Sequence, residues 1–199
     1  GTWTRLLPPE AYLYEDDAEG EQAPTGWTRS FPHPLTVTRE NGSMASFWAM
    51  TPSTDAYLAR MATRAVDELK MGQSAGTDYL AISFSVLDSV GHTFGPRSHE
   101  VQDVLLRLDR TVGDLLAHLD AKVGAGRYVV ALTGDHGVAP LPEQALRLGL
   151  DAGRVNLRDV AASVEAFVVK TQDTAFAKFN DDGTTDAITG ASMHVKNFF

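Results

Sequence analysis

The sequence predicts an α/β fold, a parallel sheet flanked by helices. Three observations carry that expectation. Residues 78–87 (DYLAISFSVL) and 128–132 (YVVAL) are runs of strand formers, bounded by turn residues and apolar enough to be buried on both faces. Each run follows a stretch whose apolar residues repeat at helical spacing. The resulting order of helix, strand, loop, helix, strand, loop is that of a parallel α/β sheet.

Residues 1–50 read as an irregular lead-in. Pro8-Pro9, Asp16-Asp17, Pro24 and the run Phe31-Pro32-His33-Pro34-Leu35 allow no sustained period. Residues 51–170 form the α/β core. Ser53, Thr54 and Asp55 are N-cap candidates for a helix whose apolar face is Leu58, Met61, Ala62, Ala65, Val66 and Leu69. Gly72 and Gly76 end it, and the first strand follows. A loop is expected from residue 88 to residue 97. Ser98 then caps a long helix with Val101, Val104, Leu105, Leu108, Val112, Leu115, Leu116 and Leu119 on its apolar face. The second strand runs into Thr133-Gly-Asp-His-Gly137. Residues 143–170 are weakly helical, and residues 171–199 form a polar tail.

Composition narrows the function classes. A formal net charge of -9 argues against a nucleic-acid binder, since little would neutralise phosphates along a duplex. The absence of cysteine excludes disulfides, thiolate metal sites and thiol nucleophiles. No apolar run is long enough to cross a bilayer, and Gly1-Thr-Trp-Thr-Arg5 lacks the apolar segment of a signal peptide.

In open α/β sheets ligands gather beyond the carboxyl ends of the strands. The first strand runs into Asp88-Ser-Val-Gly-His92 and the second into Asp135-His136, so two strand ends deliver two carboxylates and two imidazoles to one rim. Those ligand types suit catalytic zinc, and two metals roughly 3.5–4 Å apart can clamp the attacking and leaving oxygens of a phosphoryl displacement. Gly91 is expected to supply the turn that returns His92 to Asp88, while Gly134 and Gly137 permit close backbone approach. His99 and His118 read as helix-cap or solvent-facing residues, His33 as a loop residue and Arg97 as a surface charge. One Asp-His pair alone is more often a turn. Two pairs, each directly after a strand, favour the metal reading.

The stretch Asp88-Ser-Val-Gly-His92-Thr-Phe-Gly-Pro-Arg-Ser-His-Glu100, then Leu108-Asp109, then Leu132-Thr-Gly-Asp-His-Gly-Val-Ala-Pro140 resembles the alkaline phosphatase superfamily. It is most similar to the nucleotide pyrophosphatase/phosphodiesterase-like alkaline phosphatases, with similarity spanning residues 1–150. The resemblance implies part of an alkaline-phosphatase-like parallel sheet and a two-zinc hydrolase of phosphoric monoesters or diesters, with a small phosphate ester or nucleotide as substrate. It implies Asp88 and His92 as ligands to one zinc and Asp135 and His136 as ligands to the other. It further implies a Thr or Ser nucleophile forming a phospho-enzyme, and a periplasmic or secreted location.

Two parts of that pattern have no counterpart here. The strand bearing an Asp ligand and the nucleophile is expected N-terminal to Gly1. The late His ligand is unmatched, since His194 sits in a different context, Met193-His-Val195. The expectation is an incomplete catalytic unit, and no catalytic residue is assigned within the chain. A non-catalytic metal-binding or interaction chain is the alternative. A third possibility comes from the tail, where Asp186-Ala-Ile-Thr-Gly-Ala-Ser192 resembles the attachment motif of FMN-binding domains. That resemblance implies FMN linked through Ser192, whereas a plain Gly-centred turn fits the same residues and is preferred.

Overall fold

In the computed structural model the described residues are 1–36 and 44–172, together with the strands Ala177–Phe179 and Thr185–Ala187. Ser192, His194 and the rest of the expected attachment segment beyond residue 187 lie outside them. The chain divides into two compact units, Gly1–Ala152 and Gly153–Phe199.

The first unit opens with strand β1 (Thr2–Trp3), paired antiparallel to β2 (His33–Pro34) with Trp3 opposite His33. Short helix α1 (Met44–Ala49) and then α2 (Pro52–Glu68) follow. Pro52 occupies the first helical position of α2, where a missing N–H is no loss, and Thr51 rather than Ser53, Thr54 or Asp55 is its N-cap. The buried stripe of α2 is Asp55, Ala59, Ala62 and Val66. Met61 and Leu69, expected on the buried face, are exposed. Past its end, Gly72 adopts φ 71°, and a Cβ there would sit 2.6 Å from Val123 Cγ1, so the turn requires glycine on two counts.

Helix α3 (Val86–Phe94) corrects the loop expected from residue 88. Val86, Val90 and Phe94 recur every fourth residue and are almost wholly buried, which identifies a helix face. Burying each contributes roughly 1.5–3 kcal/mol, more than the roughly 1 kcal/mol that Gly91 costs inside a helix. Helix α4 (His99–Leu119) begins as expected, with the Ser98 side chain accepting the Val101 N–H. It passes into a π-helical turn (Asp120–Gly124) that carries Val123 to Gly72. Helix α5 (Pro142–Arg147) closes the unit.

Residues 77–85 and 128–133 form no helix or strand and have no ladder partner among the described residues. Tyr79, Val129 and Leu132 are 88%, 97% and 80% exposed. The burial expected for these two runs is therefore not met within the described residues. A parallel strand needs hydrogen-bonded neighbours on its flanks, and among the described residues the helices are in place while these two runs have none.

The core is aromatic and gathers the irregular lead-in. Trp3, Trp27 and Phe47 pack with Val86, Val90, Phe94, Val101 and Val104. His33, expected in a loop, is fully buried and stacks on Trp27 with ring centroids 4.7 Å apart. Its Nε2–H donates to Glu100 Oε1 at 2.7 Å. His99 is likewise buried rather than solvent-facing, donating from Nε2 to the Tyr14 carbonyl at 3.1 Å. His118 lies half-buried 3.0 Å from Asp67 Oδ1, tying α4 to α2. Arg97 stacks over the Tyr14 ring at 5.1 Å.

The second unit contains helix α6 (Leu157–Gln172) and the antiparallel pair β3 (Ala177–Phe179) and β4 (Thr185–Ala187), with Lys178 opposite Asp186.

Candidate metal centre

Asp88 and His92 lie one helical turn apart on α3, so their side chains share a face without any reversal at Gly91. Asp88 Oδ1 is 3.3 Å from His92 Nε2. None of Gly91, Gly134 and Gly137 has a left-handed backbone. A Cβ at Gly91 would meet nothing within 4 Å, so the turn expected there is not what joins the pair.

The second motif approaches the same carboxylate. His136 Nε2 lies 3.6 Å from Asp88 Oδ1 and 3.8 Å from Asp135 Oδ2. Asp135 Oδ1 accepts the backbone N–H of the next residue, His136, at 3.1 Å. The His136 ring is oriented by its other nitrogen, 3.1 Å from the Gly137 carbonyl. A carbonyl only accepts, so Nδ1 carries a hydrogen there, which leaves Nε2 as the ring nitrogen facing Asp88 and the one a metal would take.

All four side chains are solvent-exposed, Asp135 the most at 90%. Among the described residues no group of three or more His, Asp or Glu side chains is arranged to hold a metal ion. The structure thus gathers Asp88, His92, Asp135 and His136 as neighbours at 3.3–3.8 Å, with Asp88 Oδ1 shared between the two motifs, rather than as a closed cage. Their donor chemistry, carboxylate oxygen and imidazole nitrogen, fits zinc.

A second polar centre lies at the foot of α4. Asp103 is fully buried and accepts four hydrogen bonds: from Trp3 Nε1 (2.7 Å), the Leu6 N–H (2.6 Å), the Tyr12 hydroxyl (2.6 Å) and Arg107 Nε (2.6 Å). Arg107 also donates to the Thr4 carbonyl at 2.8 Å. These contacts span sequence separations of 91 to 103 residues, apart from the Asp103–Arg107 pair within α4. No local period announces them.

Asp55 is the other residue whose place the sequence left unread. It was a cap candidate for α2, yet it is 3% exposed and faces α3. Burial pushes its carboxyl up, against the lowering effect of hydrogen bonding from the backbone N–H groups of Val86 and Ser85. The available signal was an acidic residue falling on the buried stripe with Ala59, Ala62 and Val66.

Known proteins resemble the chain over most of its length. Residues 10–190 match the type I phosphodiesterase/nucleotide pyrophosphatase family. Alkaline phosphatase PhoV of Synechococcus elongatus is 36% identical over 165 residues, which cover 78% of this chain and 28% of that protein. Alkaline phosphatase PafA of Elizabethkingia meningoseptica is 38% identical over 140 residues, covering 69% of this chain and 26% of that protein. A crystal structure of wild-type alkaline phosphatase PafA superposes with a TM-score of 0.77 at 32% identity, covering 87% of this chain and 33% of that one. The chain therefore spans about a quarter to a third of the length of these relatives, and its α/β fold is of the alkaline phosphatase type. It belongs to the type I phosphodiesterase/nucleotide pyrophosphatase family of hydrolases.

Proposed function

We propose that the chain supplies half of a two-zinc centre for hydrolysis of phosphoric esters, with Asp88 and His92 holding one ion and Asp135 and His136 the other. The observation that carries this reading is the approach of both Asp-His motifs to one carboxylate oxygen, Asp88 Oδ1. Family membership supports the reaction class, and the relatives named alkaline phosphatases support a phosphate ester as substrate.

Zinc held there would polarise a phosphoryl oxygen and lower the pKa of an attacking hydroxyl. The chain's own residues do the rest. Helix α3 fixes Asp88 and His92 one turn apart, and the Gly137 carbonyl holds the His136 ring with Nε2 directed at the shared rim. The exposed carboxylates of Asp88 and Asp135 offset metal charge and leave the rim open to an ester. Each ion then has two protein ligands here, where a catalytic zinc has about three. The remaining ligands and the hydroxyl nucleophile come from sequence outside residues 1–199, so these residues alone bind zinc weakly and turn over esters poorly. By family likeness the complete enzyme works in the periplasm or outside the cell.

A chimaera tests the reading. Residues 1–150 replace the matching stretch of alkaline phosphatase PafA, and hydrolysis of p-nitrophenyl phosphate is measured. The chimaera is expected to be active, and alanine at Asp88, His92, Asp135 or His136 should each reduce its rate more than about 100-fold. A folded, active chimaera indifferent to all four alanines contradicts the assignment.

A further inference from the structure

Helix α3 carries two of the four proposed ligands, so whatever fixes α3 fixes their direction. Its C-terminal end is clamped sterically. Phe94 is fully buried, and Gly95, at φ 94°, passes so close to Leu141 that a Cβ would lie 2.7 Å from its Cδ1. Its N-terminal end has no such clamp of its own, because the N-cap residue Ser85 makes no side-chain capping hydrogen bond. The first N–H groups of a helix are orphan donors and carry partial positive charge.

The missing partner comes from another helix. Asp55 of α2 is buried, and the Val86 and Ser85 N–H groups hydrogen-bond to its carboxylate. Its Oδ2 is buried with no hydrogen-bond partner. A first-turn residue serving only its own helix gains nothing from burial, whereas a carboxylate set against another helix's N-terminus compensates both the dipole and the orphan donors. Val86 lies two residues before Asp88, so any tilt of that turn moves the carboxylate directly and His92 one turn later.

We propose that Asp55 is a positioning residue for the metal centre: its buried carboxylate holds the N-terminal turn of α3 and so sets the direction in which Asp88 and His92 are presented. The inference rests on the proposed metal role of those two residues.

Asp55→Ala and Asp55→Asn in the 199-residue chain test it. The readouts are amide hydrogen exchange at residues 85–89, the ring-proton chemical shifts of His92 without metal, and zinc affinity. The alanine variant should exchange more than about tenfold faster at those amides, shift the His92 ring signals and bind zinc about 10–100-fold more weakly. Asp55→Asn keeps an acceptor oxygen and should stay near wild type in all three. If the alanine variant does not fold, Asp55→Ser replaces it, keeping a polar atom without the reach. Wild-type exchange in the alanine or serine variant overturns the proposal. So does a loosened turn with His92 shifts unchanged, or an asparagine variant as impaired as alanine. A wild-type chain that binds no zinc through Asp88 and His92 defeats the metal reading alone, because exchange and the His92 shifts still decide the positioning role.

Discussion

Two buried carboxylates illustrate opposite solutions to the same physical problem. Asp103 is surrounded by donors, and its removal would strand Trp3, Tyr12, the Leu6 N–H and the Arg107 guanidinium together. Breaking a buried ion pair from one side costs about 3–5 kcal/mol. Asp103→Ala is therefore expected to lose about that much stability in urea unfolding, and a loss below about 1 kcal/mol would contradict the clamp. Glu21 is 4% exposed, accepts the Ala18 N–H, and leaves Oε1 buried without a partner. Burial first, then the negative charges of Glu100, Asp16 and Asp17, push it from 4.5 to about 7. Between those values the unfolded chain has released a proton that the folded chain retains, so stability falls as pH rises through that window and stays lower above it. The loss amounts to about 3 kcal/mol at most. Unfolding free energies from pH 4.5 to 8 should show this slope in the wild type and a much flatter one in Glu21→Gln. Equal slopes would show that Glu21 is not its source.

At the scale of elements, what repeats locally was legible and what pairs at long range was not. Ser98 capping α4 and the existence of α2 followed from spacing alone. Helix α3 was hidden because the strand-like run continues into it and because Asp88-Ser-Val-Gly-His92 reads as a turn, although Val86, Val90 and Phe94 carried the four-residue period. The two Asp-His motifs were legible as residues, while the way they meet depended on that helix. His33, Glu100 and Asp103 gave no local signal, since their partners lie across the fold. The runs at 78–87 and 128–132 were legible as strand formers, but among the described residues they pair with no strand, and Tyr79, Val129 and Leu132 are exposed. Val129→Thr and Leu132→Ser should therefore change the stability of the chain by less than about 0.5 kcal/mol while reducing light scattering from concentrated solutions. A loss above 2 kcal/mol would place those side chains in a packed sheet within this chain.

The whole molecule joins a well-packed aromatic core to an open rim. The core stabilises α3 and α4, and the irregular lead-in is stitched to α4 by buried polar contacts rather than by a sheet. The chain covers about a quarter to a third of the length of its alkaline phosphatase relatives. Among the described residues, the rim brings four candidate ligands near one another without forming a closed cluster. No helix among the described residues is long and apolar enough to cross a membrane. The most direct measurement is zinc titration of the purified chain against a competing chelator, for the wild type and for Asp88→Ala combined with His136→Ala. Weak wild-type binding is expected, with Kd about micromolar or higher, and it should be lost in the double variant. Equal zinc uptake by both chains would contradict it.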